Sequence, residues 1–327
     1  MTTKIEWCDA TINPVAGCTK CSPACRNCYA ERMAARWAKH PNLKISDKYE
    51  GVVDRRGRWN GQVTLDRAPF TRLPKKSQSV FLASMGDLFH ERVPFEFLFK
   101  LWRKMGVDYS HHHFLVLTKR AERMRRAAEY DALGDDWRKP PFQNIWLGVT
   151  VCNQAEADEK IPNLLATPAA GRFVSIEPML GPIDLRYFIQ LWNDNSDPEH
   201  YEKYGWSYND YSGGFIGPEP GDSLYDPRPG LDWVICGGET GPGSRPMQPA
   251  WVRSLRDQCR DTEIPFFFKG WGDWCPSDFQ YIDGCCNKTN GRYHYVFDEK
   301  CNGPMRRLGK KAAGRNLDGI EHNDRPY

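Results

Sequence analysis

No apolar run in the 327-residue chain approaches the ~20 residues that span a bilayer, and its opening Met-Thr-Thr-Lys-Ile-Glu-Trp does not resemble a signal peptide. A membrane partner is therefore not expected, and a cytoplasmic location is. Charge of one sign is also scarce. Lys and Arg number 45 against 42 Asp and Glu, a formal net charge of +3, too small to imply nucleic acid by bulk electrostatics. Internal repeats and low-complexity tracts are missing, which excludes solenoids and biased tails. The G-x-G-x-x-G spacing of a dinucleotide turn is missing as well: Gly237-Gly238-Glu239, with Gly241 and Gly243, does not match it and follows a late strand.

Cysteine, by contrast, is plentiful, with 12 residues. In a reducing compartment these do not read as a disulfide framework, so the clustered ones are expected to be metal ligands and the scattered ones mostly core. A hydrophobic fraction of 40% supplies a substantial core, and the length fits one large α/β barrel or two ordinary domains.

Cys18, Cys21, Cys25 and Cys28 crowd one loop, Cys-Thr-Lys-Cys-Ser-Pro-Ala-Cys-Arg-Asn-Cys. The intervening Ser-Pro and Arg-Asn favour turns, so the backbone can curl and bring the thiolates to one metal centre. An extended stretch from Ile12 to Gly17 leads into the loop. Beyond it Tyr29, Met33 and Trp37 recur at four-residue spacing opposite Glu31, Arg32 and Arg36, predicting an amphipathic helix. Residues 40–78 have little periodicity and read as a long excursion with a short helix, a lid or substrate loop.

From Ser79 the pattern becomes regular. Apolar strands are predicted at Ser79–Ala83, Phe114–Leu117, Ile145–Val149, Arg172–Ile176, Trp233–Cys236 and Pro265–Phe268. Helices are predicted between them: after Pro94 with Leu98, Leu101, Trp102 and Met105 buried, after Lys119, from Gln154 to Leu165, and from Pro249 to Arg260. Near-continuous apolar strands alternating with helices imply parallel strands buried on both faces. With the first short strand, the fold class is α/β: a partial TIM-like barrel of six or seven β/α units over residues 1–269. Residues 187–229 form a long insertion and 270–327 a polar C-terminal extension.

In parallel barrels reactive groups collect where strands end. The predicted ends carry Ser84 to His90, Thr118-Lys119-Arg120, Thr150 to Gln154, Ser175-Ile176-Glu177, Gly237-Gly238-Glu239 and Lys269, so a shared polar cavity is expected. The His111-His112-His113 run precedes a strand and should lie at the opposite end.

Cys21-x3-Cys25-x2-Cys28 followed by Tyr29, at the end of a first strand in a β/α chain, resembles the radical S-adenosylmethionine superfamily. A closer likeness spans almost the whole chain. Asn13 to Lys20, Cys28-Tyr29-Ala30-Glu31, Gly86-Asp87-Leu88-Phe89-His90, Leu117 to Arg120, Phe266 to Lys269 and Gly309 to Arg315 resemble a phage-associated three-cysteine-motif family, distantly similar to spore photoproduct lyase, a DNA-acting radical enzyme.

The resemblance implies an N-terminal iron-sulfur loop holding a 4Fe-4S cluster by three thiolates, with the fourth iron open to S-adenosylmethionine and an external electron donor reducing the cluster. The family pattern favours Cys18, Cys25 and Cys28 as ligands, and the superfamily spacing favours Cys21, Cys25 and Cys28. By the same analogy Gly86 and Asp87 would receive the amino group of S-adenosylmethionine, and Lys119, Asn153 and Glu177 would contact its carboxylate, its ribose or the substrate. Cys275, Cys285, Cys286 and Cys301 match no tight knuckle and read as reduced thiols, with a second metal site as the alternative.

The implied activity is rearrangement or other modification of a hypermodified nucleobase in phage DNA, so the expected partner is nucleic acid or a modified nucleotide. Basic runs at Arg55 to Arg58, Lys119 to Arg126 and Arg306 to Arg315 would track phosphates, although each also suits a solvated face. Two other readings remain open on the residues. All four clustered thiolates would close a structural zinc or iron-sulfur site in a nucleic-acid-binding protein, or Asp87, Glu177 and Glu239 would serve a metal-free barrel hydrolase.

Overall fold

The computed structural model describes residues 3, 5–71, 73–129, 142–189, 207–209, 214–216, 230–276, 295–296 and 305–326. Seven strands form one curled parallel sheet, a half-barrel: β1 (Ala10–Ile12), β4 (Ser79–Leu82), β5 (His113–Thr118), β6 (Ile145–Thr150), β7 (Gly171–Ile176), β10 (Trp233–Gly237) and β11 (Phe266–Gly270), hydrogen-bonded in that order. The remaining strands are short. β2 (Val15–Ala16) pairs with β3 (Thr64–Leu65), β8 (Ser207–Asn209) pairs with β9 (Gly214–Ile216), and β12 (Trp274–Pro276), β13 (Tyr295–Val296) and β14 (Met305–Arg307) form an antiparallel sheet.

Six of the parallel strands fall where the apolar runs predict them. The first differs: Pro14, with no N–H to donate, stops β1 at Ile12, and Val15–Ala16 turns away to the hairpin with β3.

Helices are α1 (Tyr29–Trp37), α2 (Leu43–Glu50), α3 (Phe95–Arg103), α4 (Ala121–Glu129), α5 (Gln154–Leu165), α6 (Arg186–Ile189), α7 (Pro249–Asp261) and α8 (Lys310–Ala313). The face of α1 departs from the four-residue spacing. Ala30 and Ala34 are its most buried apolar positions, with Met33 and Trp37 partly covered, while Tyr29 is 47% exposed.

Period-two alternation divides the strand residues between two apolar layers. Val80, Leu82, Phe114, Val116, Val174 and Val234 share a core with helix residues Leu98, Met124, Ile161 and Val252. Phe81, Leu115, Phe173, Trp233 and Phe267 point the other way, into a second cluster completed by Trp7. The Trp7 ring lies 4.6 Å from Phe81, 6.1 Å from Trp233 and 6.3 Å from Phe173, so the segment before β1 packs into the half-barrel and closes its floor.

Described residues beyond 269 pack onto the same core. Trp271, Trp274, Cys275, Met305 and Leu317 belong to the main core. Phe268 donates its amide to His322 O at 3.0 Å, and Phe267 bridges Asn323, so the C-terminal segment covers β11 where the parallel sheet would otherwise present an open edge. Cys275 is buried, whereas Cys285, Cys286 and Cys301 lie outside the described residues. So does most of the insertion at 187–229, of which α6, β8 and β9 are described.

Candidate functional site

The C-terminal ends of the parallel strands surround a cavity of about 380 Å3, within the range of ~300–1,000 Å3 of small-molecule sites. Gly86 and Asp87 reach it after β4, Lys119 and Arg120 after β5, Glu177 after β7, Gly237 to Glu239 from β10 and Lys269 from β11. Trp7 and Phe81 form its apolar floor, and all four thiols of the cysteine loop line it. The histidine run lies at the other ends of the strands, where His112 Nδ1 accepts the Gln78 amide at 3.2 Å just before β5.

The cysteine loop is fastened on three sides. Next to β4, Gly17 donates its amide to Met85 O at 3.1 Å and bridges Gly86. A Cβ on Gly86 would stand 2.8 Å from Val15 O and 3.0 Å from Gly17 O, so a glycine is required for this approach.

At the end of β5, Arg120 donates to Thr19 Oγ1 at 2.8 Å and Thr19 O at 3.2 Å, and it reaches Cys18 Sγ at 3.6 Å. Its guanidinium is oriented by Asp87 Oδ2 at 3.0 Å. Asp87 is buried and accepts three further hydrogen bonds, from Phe89 N at 2.9 Å, Thr118 Oγ1 at 2.7 Å and Lys119 N at 3.2 Å.

The third attachment comes from β10. Glu239 accepts from Asn27 Nδ2 at 2.9 Å and from the amide of Arg245 at 2.8 Å, while Arg245 Nη2 donates to Pro23 O at 3.1 Å. Arg32, on α1, donates to Thr240 O at 3.1 Å. A loop that leaves β1 at one edge of the half-barrel is thus anchored near the other edge, across the cavity.

The thiols differ in their acid–base character. A hydrogen bond from Cys21 is the main cause that lowers the Cys25 thiol to about 5, and the same bond, followed by burial, raises Cys21 far above an ordinary thiol. Burial, then the charge of Asp87, pushes Cys18 up to about 12. Burial works against the charge on Lys119, yet Cys25, Cys28 and Asp87 together hold its ammonium above the usual lysine value.

A family model described as a protein of unknown function, DUF5131, matches residues 2–326. The chain belongs to this family. No curated protein and no solved structure matches it.

In this DUF5131 chain the structure brings Cys18, Cys21, Cys25, Cys28, Gly86, Asp87, Lys119 and Glu177 to one cavity. Asn153 is placed differently. Its Oδ1 accepts the Glu156 amide at 3.0 Å as the N-cap of α5, and it is not among the residues lining the cavity. Asp87 lines the cavity, but its two oxygens are engaged by four donors of the chain itself, so its direct part is to hold Arg120 and the β5 loop.

Lys269 donates to both oxygens of Glu177, at 2.6 and 2.9 Å. Lys269 and Arg120 are legible in the sequence as strand-end residues, but their roles are not. Asn27 and Arg245 are not legible there, because their shared partner Glu239 is 212 residues from Asn27.

Among the described residues no group of three or more His, Cys, Asp and Glu side chains is gathered as a ready metal site. The donor chemistry nevertheless suits an iron-sulfur group. Soft sulfur donors line one wall, Cys25 is biased toward the thiolate, and Lys119 and Arg120 supply positive charge beside it.

Proposed function

We propose that this chain is a radical S-adenosylmethionine enzyme that rearranges or otherwise modifies a nucleobase, with a hypermodified base of phage DNA as the substrate. The observation that carries the reading is the convergence, at the C-terminal ends of a parallel half-barrel, of a four-cysteine loop with Gly86, Lys119 and Glu177 on one cavity. Such a place suits a cofactor whose reactive atom must meet substrate away from water.

Cys25 and Cys28, with Cys18 as the preferred third ligand, would hold a 4Fe-4S cluster. Such a cluster, given one electron by an external donor, would supply the reductive cleavage of S-adenosylmethionine to methionine and a 5'-deoxyadenosyl radical able to abstract a substrate hydrogen atom. The chain's own residues do the positioning. Arg120 steadies Cys18 and the backbone of Thr19, Lys119 offsets thiolate charge, and the Gly86 turn brings backbone groups to the cavity wall. Trp7 and Phe81 exclude water from below, and the Glu177–Lys269 pair offers one donor and one acceptor surface to a bound base.

The test is anaerobic reconstitution of the wild type beside Cys18→Ala and Cys21→Ala, with iron, sulfide and 5'-deoxyadenosine measured in each. The reading requires a reducible iron-sulfur spectrum and 5'-deoxyadenosine from the wild type; loss of both in only one of the two variants identifies the third ligand, with Cys18 the preferred one. Zinc as the sole bound metal, with no cleavage of S-adenosylmethionine, would overturn it in favour of a structural thiolate site.

A further inference from the structure

The excursion between α1 and β4 contains a feature that the cavity alone does not use. Residues 53–59 form a tight hairpin, closed by the bridge between Val53 and Trp59 and by the Asp54 amide donating to Arg58 O at 2.7 Å. Asp54 Oδ1 accepts the amides of Arg56 at 2.8 Å and Arg58 at 2.9 Å, which fixes the turn from inside. Gly57 packs against the Ala35 side chain of α1, so the turn is braced on the helix that follows the cysteine loop.

At the base of this turn Trp59 lines the cavity, and its amide is held by Glu31 Oε1 at 3.0 Å. Glu31 also pairs with Lys20 of the cysteine loop at 2.9 Å, tying the hairpin to the cavity mouth.

The arginines have little to do within the chain. Arg55, Arg56 and Arg58 are all exposed. Arg58 makes a loose pair with Asp54, 3.9 Å apart, and among the described residues the side chains of Arg55 and Arg56 have no hydrogen-bond or ion-pair partner. The one acid of the turn spends its Oδ1 on backbone amides. A solvated face needs no such bracing, and the same hairpin carries Trp59 to the cavity lining, where it also packs against the apolar cluster that holds Ala30 and Ala34 of α1. Exposed guanidinium groups carried on a braced backbone turn, with an aromatic residue in the same hairpin, form a usual combination for a nucleic-acid strand, with phosphates on the cations and a base on the ring.

We infer that the Arg55–Arg58 turn is a phosphate clamp that seats a single-stranded nucleic acid across the cavity mouth, with the base beside the clamped phosphates directed past Trp59 into the cavity. The strand must be single or locally opened, because a base inside a duplex stack cannot enter a cavity bounded by strand ends. This assignment rests on the reading of the cavity as a nucleobase site, and it adds the surface that selects a strand over a free nucleoside.

The test is fluorescence anisotropy of the full-length reconstituted protein with a labelled, short single-stranded oligodeoxynucleotide, over a series of salt concentrations. Wild type, the double variant Arg55→Gln/Arg56→Gln and Trp59→Leu are compared, each checked by its melting temperature. The double variant should bind about tenfold or more weakly, and its log–log salt slope should be shallower by about 0.7 for each arginine removed. Trp59→Leu should weaken binding with the salt slope unchanged, as loss of stacking would.

Equal binding and equal slope in the double variant would overturn the clamp, as would absence of wild-type binding or preference for intact duplex. The radical reading is scored apart, by 5'-deoxyadenosine release. If strand binding behaves as stated and no 5'-deoxyadenosine forms, the clamp stands and the radical chemistry falls.

Discussion

Lys269 and Glu177 meet across a strand that separates them. Glu177 follows β7 and Lys269 lies in β11, with β10 between, and the ammonium reaches both carboxylate oxygens because β10 ends there in Gly237. A Cβ on Gly237 would lie 3.3 Å from Lys269 Cβ and 3.5 Å from Glu177 Cδ, so alanine fits closely and a longer side chain would part the pair. The pair closes one wall of the cavity with both charges partly open to it, the side chains being 17% and 28% exposed.

Breaking this pair should be felt in function more than in folding. Lys269→Met and Glu177→Gln should each reduce substrate turnover strongly, while a double-mutant cycle on unfolding gives a coupling of about 1–2 kcal/mol. Gly237→Leu should reproduce the turnover defect with both charged residues intact. Additive unfolding effects and a fully active Gly237→Leu would show that the pair is incidental.

Asp87 is expected to matter chiefly for stability and for the cysteine loop. Its buried carboxylate serves four donors, so Asp87→Ala leaves Arg120 without its buried counter-charge and should cost about 3–5 kcal/mol. The milder Thr118→Val, which removes one donor to Asp87 and the acceptor of the Arg120 amide, should cost about 1–3 kcal/mol. Denaturant midpoints measure both, and hydrogen exchange should show faster opening at Thr19 and Lys20 in Asp87→Ala.

Stability should fall on acidification partly through Glu239. Burial alone would raise its pKa, but hydrogen bonds from Arg245 and Asn27 outweigh burial and hold the folded value below the ordinary 4.5. A depressed carboxylate adds stability that is complete above 4.5 and is lost as the pH falls through the folded value. Glu239→Gln should therefore unfold more easily than wild type at neutral pH and lose less on acidification. Parallel urea midpoints for the two proteins across the acid range would contradict this.

Cys25 should be more thiolate-like than Cys18 and Cys21 in metal-free protein, because a hydrogen bond from Cys21 favours its charged form. Alkylation in mildly acidic buffer, followed by peptide mass spectrometry, should modify Cys25 ahead of Cys18, whose thiol burial and Asp87 push upward. Cys21→Ala should slow labelling of Cys25 at that pH. Unchanged labelling would show that the hydrogen bond does not set its reactivity.

Much of the scaffold is legible in the sequence. The apolar runs at Ser79, Phe114, Ile145, Arg172, Trp233 and Phe266 each became a parallel strand, because burial on both faces demands uninterrupted hydrophobic residues. The polar residues ending those runs became the cavity wall, because parallel strands point their ends the same way. Individual roles were less legible. Asn153 has the right position in the chain, but its Oδ1 caps the first turn of α5 and it is not among the residues lining the cavity, which strand order alone does not show.

The sequence by itself determined the order of the β/α units and the crowding of four cysteines in one loop, since both are local properties of spacing and hydrophobic period. Only the tertiary structure decided what holds that loop and what faces it. Arg120 is drawn to Cys18 by a buried Asp87, and Asn27 is fixed by Glu239 from the far side of the half-barrel. Those contacts join residues 102 and 212 positions apart, and no local pattern encodes them, because they depend on how far the sheet curls before its last strand is covered.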